Sequence, residues 1–152
     1  MKGGALALAL ALAVGACAGT QISQDQDRLK HDEIGNLWIQ IRQWRSEARL
    51  QLDPPVSMMQ FVRGTSVSEL KAKTCPANHP VPTTCNDICS IADNICDNAE
   101  RICELATELG KDDDYAQQKC TSAKASCREA KQTCCGCAEK TADSLGDGGG
   151  TW

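Results

Sequence analysis

The sequence predicts an all-α protein, a disulfide-laddered antiparallel helical hairpin preceded by an N-terminal amphipathic helix. Three observations lead there. Cys89, Cys96 and Cys103 recur every seven residues, as do Cys120, Cys127 and Cys134, and that step returns a side chain to nearly the same helical face. The two stripes mirror each other about a turn at residues 111–114. Cys89 with Cys134, Cys96 with Cys127 and Cys103 with Cys120 each total 223 in position number, and Cys85 with Cys137 totals 222. Facing residues of an antiparallel pair keep a constant total, so these four pairs are the expected rungs. Finally, residues 34–52 repeat apolar side chains at helical spacing, and no alternating strand pattern occurs.

The residues between the rungs agree with this register. Ala92, Ala99 and Ala106 mirror Ala130, Ala123 and Ala116 with a constant total of 222. Alanine lets two backbones approach closely, and a disulfide needs its Cα atoms within about 7 Å. Closing the innermost loop, Cys103 to Cys120, stabilises by about 3 kcal/mol in the chain-entropy account. Opposite charges should face each other as Asp93 with Lys131, Asp97 with Arg128, Glu100 with Lys124 and Glu104 with Lys119. Such exposed pairs contribute about 0–1 kcal/mol each and select register rather than hold the fold.

Composition supports stapling over a large core. Aromatic residues are 3% of the 152, and there are eleven cysteines. A small chain with a thin core relies on crosslinks. The net charge of −4 is unevenly placed: residues 21–74 hold 8 basic and 7 acidic side chains, residues 75–152 hold 7 and 13. An acidic cysteine-rich module lacks the clustered basic charge that phosphate backbones require, so nucleic acid is not an expected partner.

Residues 1–16 have the form of a targeting segment, with Lys2 followed by an apolar run over residues 5–14 that is too short to span a bilayer. The run ends Val14-Gly15-Ala16-Cys17: an aliphatic residue, two small ones, then cysteine. This resembles the lipobox of bacterial lipoproteins. The resemblance covers the first twenty residues and implies that Cys17 becomes a diacylated, N-acylated N-terminus. Ala18 gives no aspartate-type inner-membrane retention signal, so the resemblance implies the outer membrane. Assigning Cys17 to lipid leaves ten cysteines, an even number suited to an exported protein. With four rungs assigned, Cys75 and Cys135 pair by elimination, clipping the linker to the side of the hairpin.

In chain order, residues 17–27 form the anchor and a polar tether, and residues 28–74 the amphipathic helix with short helical segments. Ile34, Leu37, Trp38, Ile41, Trp44, Ala48 and Leu52 lie on one helical face, with Arg42, Gln43, Arg45 and Arg49 on others. The helix should end before Pro54-Pro55. Ile88, Ile95, Ile102 and Leu109 form a stripe beside the rungs that needs a cover, and this helix is the expected one. The other reading lays its Trp and Arg residues on a membrane surface. A short helix should fill residues 56–63 before Gly64, and Ser66 with Glu69 has capping-box form. Residues 75–84, with Pro76, Pro80 and Pro82, read as a stiff linker. Residues 85–140 are the hairpin, with Thr84 as first cap, Gly110 as its C-terminal cap and Asp112–Asp114 opening the second helix. Residues 141–152 are a glycine-rich tail, into which the second helix is expected to run on raggedly over residues 138–145.

The chemistry open to such a chain is limited. Cys134-Cys135-Gly136-Cys137 invites a thiol redox reading, but it falls at a helix C-terminus, where the dipole disfavours a thiolate. Cys75, His79, Cys85 and Cys89 have a loose zinc-like spacing that would cost two rungs. A stronger rival is a helical bundle storing Cu(I) or another soft metal, since Cys85-x3-Cys89 has the spacing seen in bacterial copper-storage bundles. Copper loading does not require positions to mirror one another, and export favours disulfides. His31 and His79, the two histidines, neighbour no nucleophile motif, and Asp112–Asp114 lack a calcium loop's alternation. No catalytic residue and no cofactor are expected. The expected role is non-catalytic: a membrane-tethered structural or interaction module in the bacterial envelope, with a protein partner the sequence does not identify.

Overall fold

The computed structural model describes residues 16–73 and 83–146, with side chains over 24–72 and 83–137. Its elements are α1 (Ala16–Glu47), α2 (Val56–Phe61), α3 (Val67–Lys73), a 3-10 turn (Thr83–Cys85), α4 (Asn86–Leu109) and α5 (Asp114–Gly146). All regular structure among the described residues is helical. α4 and α5 form the antiparallel hairpin, and the six interleaved alanines, Ala92, Ala99, Ala106, Ala116, Ala123 and Ala130, are all buried.

α1 covers the hairpin. Ile34, Trp38, Ile41 and Ala48 are buried, with Leu37 and Trp44 packed against the same cluster as Ile95 and Ile102. Its cross-helix bonds set the direction. Lys30 pairs with Glu108 at 3.2 Å, Glu33 with Arg101 at 2.8 Å, and Gln40 accepts from Asn98 at 3.0 Å. His31 meets Asp113 at 2.6 Å and Arg45 meets Glu129 at 2.8 Å. α1 therefore runs antiparallel to α4 and parallel to α5. The apolar face that a membrane surface would need is occupied by the hairpin.

α1 differs from expectation at both ends. Residues 20–27, expected as a tether, continue the helix. They contain no proline, and extending a helix already nucleated by packing costs far less than starting one. At the other end the helix stops at Glu47 rather than at the prolines. The N–H of Leu50 donates to the Arg45 carbonyl at 2.8 Å and that of Arg49 to the Ser46 carbonyl at 3.0 Å, a Schellman closure with Arg49 in the left-handed region at φ 59. Leu52, expected on the buried face, consequently lies beyond the helix and is 49% exposed. Because a side chain pays for a left-handed backbone, Arg49→Gly is expected to stabilise the protein by roughly 0.5–1 kcal/mol, read from urea unfolding.

The short helices follow their signals. In α3 the Glu69 N–H donates to Ser66 Oγ at 3.2 Å and the Ser66 N–H donates to Glu69 Oε2 at 3.1 Å, a complete capping box. Thr84 does not cap α4. The 3-10 turn intervenes, and Cys85 takes the cap position without a side-chain hydrogen bond. Gly110 ends α4 at φ 98, with its N–H donating to the Ala106 carbonyl. Asp113 caps α5, accepting from the Ala116 N–H at 3.0 Å. That bond first, and His31 second, hold the Asp113 carboxyl below its ordinary value. A depressed carboxyl pKa contributes stability that is present above about pH 4 and is lost as pH falls further. Asp113→Ala is expected to cost about 1 kcal/mol at neutral pH, and the cost should shrink as pH falls below about 4, measurable by thermal melts across that range.

α5 is the central helix, although its middle is among the less apolar stretches. No side chain from Lys119 to Lys131 is fully exposed, because α4 and α1 flank it while α2 and α3 pack over what remains. Small residues allow this: Ser122, Ala123, Ala125 and Ser126 are buried. Their hydroxyls remain satisfied, Ser126 Oγ donating to the Ser122 carbonyl at 2.9 Å and Ser122 Oγ to Met59 Sδ at 3.3 Å. α5 continues to Gly146, so the first residues of the expected tail are helical. The proline-rich linker lies outside the described residues except for its last two positions.

Candidate functional site

The sulfur ladder is the feature on which the rival redox and metal readings depend. Cys85–Cys137, Cys89–Cys134, Cys96–Cys127 and Cys103–Cys120 are all disulfides, in the register that the position totals require. Cα separations are 4.8, 4.6 and 4.7 Å for the three inner rungs and 6.0 Å for Cys85–Cys137. The wider outer rung fits its place at the helix start, where the 3-10 turn leads into α4. Cys96 and Cys127 are fully enclosed. Cys135 is also disulfide-bonded; Cys75, its expected partner, lies outside the described residues. Cys17 belongs to α1, but its side chain is not among those described.

Disulfide sulfur is neither a thiolate nucleophile nor a soft-metal ligand. Cys134, Cys135 and Cys137 are all oxidised. The four-ligand zinc set is not assembled, because Cys85 and Cys89 are bonded to Cys137 and Cys134, while Cys75 and His79 lie outside the described residues. Among the described residues no three His, Cys, Asp or Glu side chains gather in the manner of a metal cradle.

Charge placement departs most from expectation. Asp93 does pair with Lys131. Asp97 and Glu100 instead share Lys71 of α3, at 2.6 and 3.0 Å, and Glu104 pairs with Arg101 at 3.3 Å. Their expected partners have apolar company. Arg128 lies 3.7 Å over the Phe61 ring, and Lys119 lies 4.9 Å from the Trp38 ring centre. The added layer of α1, α2 and α3 competes for both signs of charge.

Arg45, expected off the apolar face of α1, is completely buried. It donates from Nε to the Gln51 carbonyl at 2.7 Å and from Nη2 to Glu129 at 2.8 Å, so one guanidinium ties the turn after α1 to α5. No sequence signal separates it from Arg42 three residues earlier. Lys124, expected to face Glu100, instead leaves that carboxylate to Lys71. It borders a groove of about 370 Å³ beside the Cys103–Cys120 rung, with Ser66, Ser68, Glu104 and Thr107, and burial pushes its pKa down.

Together these features define an all-α, disulfide-laddered bundle in which a hairpin is wrapped on one side by α1 and on another by two short helices. No family model, curated protein or solved structure matches the chain. Among the described residues, no helix is long and apolar enough to cross a membrane.

Proposed function

We propose that this protein is a non-catalytic lipoprotein of the bacterial envelope, anchored through Cys17 and acting as a structural or interaction module, with the outer membrane as its location. The observation that carries the reading is Val14-Gly15-Ala16-Cys17 at the end of a short apolar run, ahead of a module whose rungs are all oxidised. Oxidised rungs suit an exported protein, since cytosolic thiols are kept reduced. Lipid on Cys17 also removes the odd cysteine that would otherwise be a free thiol. The ladder leaves its sulfurs inert and confers rigidity, which suits a module that presents surfaces rather than turning over a substrate.

Two measurements test this. Metabolic palmitate labelling should mark the wild type, and Cys17→Ser should release the protein from the membrane fraction; a Ser variant that is still processed and membrane-bound defeats the anchor. Protein taken from its native envelope, denatured without reductant and alkylated, should show almost no free thiol. If the eight rung cysteines are instead alkylated and several copper ions accompany each chain, the protein is a Cu(I) store.

A further inference from the structure

We propose that the first part of α1 is a rigid stalk that holds the bundle off a lipid surface, with the α4–α5 turn facing the bilayer and the Cys85–Cys137 rung facing away. This rests on the Cys17 anchor and adds what the anchor alone does not contain, an orientation and a stand-off.

The cross-helix bonds carry the argument. His31 is level with Asp113 and Lys30 with Glu108, which places both at the turn end of the hairpin. α4 ends at Leu109 and α5 begins at Asp114, so the part of α1 before Lys30 has neither helix beside it. Every described side chain from Gln24 to Leu29 is exposed, as that placement requires. The helix nevertheless continues back to Ala16. At about 1.5 Å per residue, residues 16–29 rise about 20 Å, and Cys17 stands at the far end of that rise.

Charge and composition favour an upright stalk over one lying flat. Between residues 16 and 29 the only large apolar residues are Ile22 and Leu29, too little to bury in a headgroup layer. Asp25 and Asp27 on the stalk, with Glu108, Asp112, Asp113 and Asp114 at the turn end, outnumber Arg28, Lys30 and Lys111. An acidic end is not drawn onto an anionic membrane. The bundle therefore stands clear of the surface, with the end that bears the Cys85–Cys137 rung farthest from it.

The test uses the mature chain in vesicles of phosphatidylcholine and phosphatidylglycerol with a headgroup-labelled energy acceptor. The chain carries either its native lipid or a maleimide-linked dialkyl lipid at Cys17. A fluorescent non-natural residue replaces Lys111 or Gln132, both exposed. These sites lie about 30 Å apart along the hairpin at helical rise, so transfer from position 111 is expected to exceed that from position 132 by more than about twofold. Equal or reversed transfer overturns the stalk while leaving the anchor standing. Gln24→Pro breaks the helix outside the bundle: the difference should shrink with no change in melting temperature, and an undiminished difference also overturns the stalk. If mass spectrometry finds no acyl chain on native Cys17, the anchor reading falls, and the orientation in the cell falls with it.

Discussion

Reducing the ladder is expected to remove most of the folding free energy. The rungs span 17, 31, 45 and 52 residues, and the order of closure matters. With the innermost rung in place, each of the next two adds only fourteen residues to the closed circuit and the last adds seven. In the chain-entropy account circuits of this size are worth about 2–3 kcal/mol each, so four rungs together contribute on the order of 10 kcal/mol. That is comparable with the whole stability of a typical domain. The hairpin interface has little to offset the loss, since it is lined by alanine between the sulfurs. Circular dichroism melts with and without a phosphine reductant provide the check. The reduced protein should lose its cooperative transition, and replacing Cys96 and Cys127 together by alanine should cost about 3 kcal/mol. If the reduced form melts within a few degrees of the oxidised one, packing rather than the ladder holds the fold.

The second large effect is expected at Arg45. Removing its guanidinium leaves Glu129, whose side chain is 22% exposed, without its cation and the Gln51 carbonyl without its donor. Breaking a buried pair from one side costs about 3–5 kcal/mol, and the partial exposure of Glu129 places Arg45→Ala at about 3 kcal/mol, the lower end of that range. Arg45→Lys should recover little, because a single ammonium cannot reproduce the planar fork that serves two acceptors in different directions. Glu129→Gln should cost less than Arg45→Ala, since an amide oxygen still accepts from Nη2. Urea unfolding of the three variants settles the order. A loss below about 1 kcal/mol for Arg45→Ala would be typical of exposed pairs and would show the guanidinium to be dispensable.

The parts of the fold legible in the sequence are those encoded by one-dimensional patterns. Cys89, Cys96 and Cys103 could be matched to Cys134, Cys127 and Cys120 because a disulfide tolerates little error in Cα separation. Over two heptads that tolerance becomes a constant total of positions. The capping box at Ser66 and Glu69 and the left-handed cap at Gly110 were legible for a similar reason, since each is satisfied within a few residues. The charge pairs were not. Asp97 and Arg128 face the right neighbours in a two-helix drawing, but Lys71 and Phe61 arrive from α3 and α2 and claim them.

By itself, then, the sequence determined the all-α class, the hairpin, the pairing of eight cysteines, and the need for α1 to cover the isoleucine stripe. Each follows from periodicity or from covalent geometry. Only the tertiary structure decided that α5 is the central helix, that α1 closes at Arg49 with Arg45 buried beneath the turn, and that residues 16–29 extend beyond the bundle. The physical reason is competition. Whether a serine is enclosed, an arginine desolvated or a polar helix left projecting depends on which surfaces reach it first in three dimensions, and small or amphipathic side chains carry no local preference strong enough to announce the outcome.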